Sequence, residues 1–243
     1  MLDGGLDQAA GLRALMAPPA LGVLAFPLAE HQGPAPWIAQ LAQALASLGR
    51  RTLVVDAGRG AVTSAFGLRP RLELMDLLQG DHAFDEVAQP AAGGVWVLRA
   101  DRGVEAFAAS GEPSWRLLEA FSRLQQGFDE LLLAMPAGEL ACLAAPQESV
   151  PIVSLFPGTA GTVHAYGLVK QLAEGFGYRR FACVVQGAAD EAQARTDHAR
   201  IAAAALRFLD VDVRYAGRVD SPDAAGLRLA AQSLLETAVM PLH

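Results

Sequence analysis

A chain of 243 residues, 52% of them hydrophobic, is long enough to bury a substantial core, and a mean hydropathy of +0.26 suits strands covered on both faces. The formal net charge of -7 and an isoelectric point near 5.2 argue against a nucleic-acid binder, which would carry a basic face. Cys142 and Cys183 stand in no CxxC or Cys/His metal spacing and read as buried free thiols of a reducing cytoplasm.

The N-terminus, MLDGGLDQ, is acidic where an export signal would be basic. Two uncharged runs, 15–29 and 149–169, are broken by prolines and glycines, whereas a spanning helix needs about 20 unbroken apolar residues. A soluble cytoplasmic protein without a strong membrane anchor is therefore expected. Residues 2–16 carry Leu2, Leu6, Ala9, Leu12 and Met16 at helical spacing, and Pro18 and Pro19 end the unit. A helix this short is marginal in water, so it needs a surface to dock on, either its own domain or a partner.

After the proline pair, apolar strands alternate with amphipathic helices. Strands are predicted at 21–26, 52–56, 95–100, 130–135, 151–156, 180–185 and 212–217, with helices at 37–48, 114–126, 163–176, 192–209 and 224–237. This order implies a doubly wound, mostly parallel α/β sheet of seven or eight strands with helices on both faces. Ligands of such sheets sit at the carboxyl ends of the strands. The simplest division is an arm, 1–19, followed by one domain, 20–243.

The segment 21–56 has the strand, loop, helix, strand layout of a nucleotide-binding protein. In that setting the loop would be glycine-rich and carry a lysine, because backbone N–H groups and an ammonium must surround the phosphates. Here the loop from Pro27 to Pro36 holds one glycine, Gly33, three prolines, an acid and no lysine. The frame is present without its chemistry. Other candidates are weaker: Gly158–Thr162 opens a helix but lacks a GxGxxG pattern, and His164 with Ser154 lacks a GxSxG elbow. Asp197, His198, Asp190 and Glu191 read as solvated positions, and the pairs Arg50–Arg51 and Arg179–Arg180 as helix caps or solvent-facing residues.

Taken together these segments resemble the MinD/ParA family of deviant Walker ATPases, and particularly its flagellar branch, FlhG or FleN. Asp7-Gln8-Ala9-Ala10-Gly11-Leu12-Arg13 matches that branch's DQAxGLR motif. Leu53–Ala57 resembles the strand entering the DAD segment, Asp76–Gly80 the DVLxG helix and Phe128–Gly138 the Walker B strand. Thr162–Lys170 parallels SxxDAYALIK, and Arg207–Leu209 with Tyr215–Asp220 resembles RFL…YLGxIPxD. The resemblance implies a MinD-like P-loop fold.

The departures fall on the nucleotide site. GKGGVGKT is replaced by PLAEHQGPA, and Lys170, the only lysine, belongs to a late helix. Asp56 survives, but Gly58 replaces the second aspartate of DAD and Ala134 the Walker B aspartate; Gln186 stands where an adenine-contacting asparagine is common. The degenerate region is thus Pro27, Gly33, Asp56, Gly58 and Ala134, and no bound cofactor, metal or catalytic residue is expected. The resemblance further implies that Leu6, Asp7, Gln8, Ala9, Gly11, Leu12 and Arg13 bind an FlhF-like signal-recognition GTPase, with flagellar basal-body components as further partners and recruitment to the flagellated pole through them. Two alternatives stand beside this pseudo-ATPase regulator: a weak nucleotide-dependent ATPase switch, and a scaffold subunit of another localised machine such as polysaccharide secretion.

Overall fold

The computed structural model describes residues 21–29, 35–112, 115–122, 127–219 and 224–242. The arm carrying the Leu6–Arg13 motif therefore lies outside the described residues, as does Gly33.

The strands are β1 (Leu21–Leu28), β2 (Thr52–Asp56), β3 (Gln89–Pro90), β4 (Val95–Arg99), β5 (Glu130–Pro136), β6 (Ile152–Leu155), β7 (Arg180–Val185), β8 (Asp212–Arg218) and β9 (Met240–Leu242). Between them lie α1 (Pro36–Ser47), α2 (Leu74–Leu78), α3 (Phe84–Val87), α4 (Asp101–Ser110), α5 (Trp115–Ser122), α6 (Ala137–Leu143), α7 (Thr159–Phe176), α8 (Glu191–Leu209) and α9 (Ala224–Thr237). All seven predicted strands are present, and the doubly wound α/β class holds.

A single sheet of seven or eight strands does not form. Hydrogen bonding instead gives a six-stranded sheet, β3-β4-β2-β5-β1-β9, and a three-stranded one, β6-β7-β8. β9 pairs antiparallel with Leu21–Val23, while β6 contacts β1 without joining its ladder. β3 is also antiparallel, while β1, β2, β4 and β5 run parallel, as do β6, β7 and β8. Strands this short could not be recognised from period, since two or three residues carry no alternation.

Burial on both faces explains the near-continuous apolar strands. One cluster joins Leu24, Phe26, Val54 and Leu132 to Ile38, Leu41 and Leu45 of α1 and to Ala230 and Leu234 of α9. The opposite face packs Val23, Val55, Leu133 and Leu98 against Val104, Leu117 and Leu140. Over β6, β7 and β8, the residues Val169, Leu172, Ile201 and Ala205 of α7 and α8 form a third cluster. The face of α9 that an amphipathic reading could send to a membrane is in fact packed on α1 and β8. Among the described residues no helix is long and apolar enough to cross a membrane.

Asp197 and His198 differ from their sequence reading, while Arg50 and Arg51, the latter exposed as expected, make ion pairs that spacing does not show. Arg50 and Arg51 clamp the start of β5, with Arg50 Nη2 2.5 Å from Glu130 Oε1 and Arg51 Nη2 2.8 Å from Asp129 Oδ1. Asp197 is buried, accepting from Gln193 Nε2 at 2.8 Å, and His198 is half-buried with Nε2 2.8 Å from the Val213 carbonyl oxygen. Cys142 is exposed rather than buried; Cys183 is buried, and desolvation pushes its thiol up to about 12.

Glu130 lies across Gly22, which is why that position has no side chain: a Cβ there would collide with Glu130 Oε2 and with Val239, the residue before β9. Gly22→Ala should lower unfolding free energy by ~1–3 kcal/mol, the usual range for forcing atoms into a packed site, measured by urea denaturation.

Candidate functional site

The carboxyl ends of β1, β2 and β5 converge, with Ala134 aligned with Phe26 on one side and with Asp56 on the other. This brings together Pro27, Asp56, Gly58 and Ala134 of the sequence-derived site. It also adds residues that sequence reasoning missed: Leu28, Arg59, Thr63, Asp101, Glu105 and Glu139.

β1 does not stop where a phosphate loop would begin. Pro27 and Leu28 stay in the ladder opposite Met135 and Pro136, so the backbone runs straight through the place where it would need to curl around an anion. Leu28 is 2% exposed, and a Cβ on Gly58 would collide with its Cδ1. The leucine of the altered loop thus fills the room that a second aspartate would need. Ala134 is likewise packed in the apolar cluster with Phe26 and Trp37, whose rings meet edge to face at 5.5 Å.

Asp56 is fully buried, and its carboxylate is occupied. Oδ1 accepts from the Gly58 N–H at 3.0 Å; Oδ2 accepts from the N–H groups of Val62 and Thr63 at 3.0 and 2.6 Å and from Thr63 Oγ1 at 2.6 Å. These bonds fold residues 57–63 into a fixed turn. The turn is tied outward at two points. The Ala35 N–H, just before α1, donates to the Ala61 carbonyl at 2.9 Å, and the Arg59 N–H, at φ 56°, donates to Asp101 Oδ1 at 2.5 Å.

Beside the turn lies a cavity of about 190 Å³ lined by Ala29, Gly58, Arg59, Asp101, Glu105 and Glu139, among others. Glu139 Oε2 is buried with no hydrogen-bond partner among the described residues. Burial pushes the Glu139 carboxyl above its usual range; Glu105 and Asp101 add to the rise, and Arg59 opposes it. A triphosphate placed here would meet three carboxylates and one guanidinium. The residues present do not fit ATP and magnesium: the chain offers no lysine from the loop, Asp56 is already engaged, and the pocket has the wrong sign. Among the described residues no group of three or more His, Cys, Asp or Glu could hold a metal ion.

The remaining candidates stay apart from this site. Gly158, at φ 90°, opens α7, and the Thr162 hydroxyl donates back to its carbonyl at 3.0 Å. His164 is exposed on α7, and Ser154 is buried in β6. Gln186 is buried just beyond β7, its Nε2 without a partner among the described residues.

Comparison with known proteins follows this geometry. The chain is 31% identical over 184 residues to the antiactivator FleN of Pseudomonas aeruginosa, a match covering 73% of this chain and 65% of that protein. It thus spans about two thirds of that relative's length. Among solved structures it is similar to a chain of the MinC:MinD cell division protein complex of Aquifex aeolicus, with a TM-score of 0.63, 15% identity and 91% and 98% of the two chains covered. MinD of Aquifex aeolicus gives a TM-score of 0.57 at 16% identity, with 91% and 99% covered. No family profile matches the chain.

Gly58→Ala should destabilise the fold by ~1–3 kcal/mol through its clash with Leu28, and adding Leu28→Ala should recover part of that loss, a coupling that chemical denaturation of the single and double variants would measure. Glu139 gives a pH signature. A carboxyl with a raised folded pKa holds its proton more tightly folded than unfolded, so its contribution favours the fold at low pH and is lost as pH rises through the raised value. Glu139→Gln should therefore raise the Tm at about pH 8 and leave it nearly unchanged at about pH 4, as read by thermal scans.

Proposed function

Because this chain belongs to the MinD/ParA family, in its FleN/FlhG branch, we propose that it is a non-catalytic regulator of flagellar assembly and number. In this reading it works without an ATP switch and acts through residues 7–13, which bind an FlhF-type GTPase and stimulate its turnover. Leu6, Ala9 and Leu12 supply the buried face, and Gln8 and Arg13 the polar contacts near the partner's nucleotide. The name antiactivator, given to the Pseudomonas relative, fits a regulator that acts by binding other proteins.

The observation that carries the non-catalytic half is the continuation of β1 through Leu28 into the space beside Gly58. A charge-assisted hydrogen bond contributes about 1.5–3 kcal/mol, so losing a lysine contact and magnesium ligands together removes ~5 kcal/mol or more. At about 1.4 kcal/mol per tenfold, a micromolar affinity falls to millimolar or weaker. Hydrolysis suffers further, since phosphoryl transfer depends on the placement of metal and cation. Titration calorimetry should show no magnesium-dependent ATP binding at micromolar concentration; a micromolar isotherm would restore the switch.

The binding half is tested by GTP turnover of a purified FlhF-type GTPase. Adding this chain should raise the rate, and Gln8→Ala or Arg13→Ala should each abolish most of the rise. A rate indifferent to the chain would sink the GTPase reading and favour a scaffold role.

A further inference from the structure

Glu130, the first residue of β5, is 1% exposed, yet only half of its carboxylate is served. Oε1 accepts from Arg50 Nε at 3.0 Å and from Nη2 at 2.5 Å, while Oε2 is buried with no hydrogen-bond partner among the described residues. The cover over that oxygen can be named. Glu130 aligns with Gly22 of β1, and a Cβ on Gly22 would meet both Glu130 Oε2 and Val239 Cγ1, so the two side chains converge over the same backbone. Val239 links α9 to β9, and β9 sets Pro241 opposite Gly22.

β9 is held by a short ladder. The Gly22 N–H donates to the Asp129 carbonyl at 2.9 Å, toward β5, so the alternation of an extended strand turns Leu21 and Val23 toward β9, opposite Leu242 and Met240. Pro241 has no N–H to add. The charges around Glu130 are few. Arg50 pairs with it, the neighbouring Asp129 is itself paired with Arg51, and residues 237–242, from the end of α9 through β9, carry no titratable side chain. Burial pushes the Glu130 carboxyl above its usual range and Asp129 adds to the rise, while Arg50 opposes it. An ionised carboxylate gains from water at Oε2, whereas a neutral carboxyl loses much less by staying dry. Seating β9 therefore favours the proton, and by linkage the proton favours seating. That contribution is present at low pH and is lost as pH rises through the raised value.

We infer that Glu130 is a proton-operated latch for β9. Neutral, it lets Val239 and β9 close over Gly22; ionised, it favours their release, which bares β1 at Leu21–Val23. An unpaired strand edge accepts another strand, so one carboxyl sets when β1 can pair outside its own fold.

Hydrogen–deuterium exchange on the full chain tests the latch, with each rate divided by the intrinsic rate at that pH. Protection of the Met240 and Leu242 amides should fall about tenfold between about pH 5 and about pH 8, the change that a difference of about one pKa unit between the seated and released states produces. Amides of Leu131–Leu133 in β5 should keep their protection. Glu130→Gln should hold the low-pH protection of β9 at both values. Arg50→Gln, which removes the cation opposing the rise, should move the fall to higher pH. Equal protection at the two pH values in the unmodified chain would overturn the latch. So would a fall that persists in Glu130→Gln, one that Arg50→Gln leaves in place, or one that the β5 amides share, which would mark general unfolding.

Discussion

The architecture at the carboxyl ends of the strands depends on the buried carboxylate of Asp56. It accepts from three backbone N–H groups and one hydroxyl, and each bond to an ionised acceptor is worth about 1.5–3 kcal/mol. A buried charge without such partners would cost several kcal/mol, so the turn 57–63 and the carboxylate require each other. Through Ala61 the turn reaches the start of α1, and through Arg59 it reaches Asp101 at the start of α4. One side chain thus joins β2 to helices on both faces of the sheet.

Changes that look independent along the chain are linked through packing at this point. Once β1 continues to Leu28, an acid at position 58 has no room; with apolar Phe26 and Trp37 beside Ala134, a carboxylate there would lie in an apolar cluster without water. Restoring one element of a nucleotide site would therefore conflict with the others. The acids Glu105 and Glu139 act in the same direction, because carboxylates crowding a small cavity repel a polyanion.

Much of the fold was legible because its seven main strands are apolar runs bounded by helices with a 3.6-residue period. β3 and β9 were not, since two- and three-residue strands leave no pattern. At the site, Pro27, Asp56, Gly58 and Ala134 could be found as departures from a motif. Leu28 and Thr63 could not, because their roles arise from contacts across strands and turns rather than from residue type. Glu139 stands in the first turn of α6, where nothing in its residue type marks it, and only its burial next to Glu105 and Asp101 gives it a shifted titration. Asp197 looked solvent-facing because its spacing from Ile201, one helical turn, becomes meaningful only once that face of α8 is packed.

The antiparallel pairing of β9 with the first residues of β1 also orders events in time. β1 needs β5, more than a hundred residues later, and β9, nearly the whole chain later, before both its edges are satisfied. During synthesis at about 5–20 residues per second, β1, with eight buried residues, waits about ten seconds or more with an open edge. A nascent chain of this design is exposed to edge-to-edge association for most of its translation, which makes it a natural client for factors that shield emerging polypeptides.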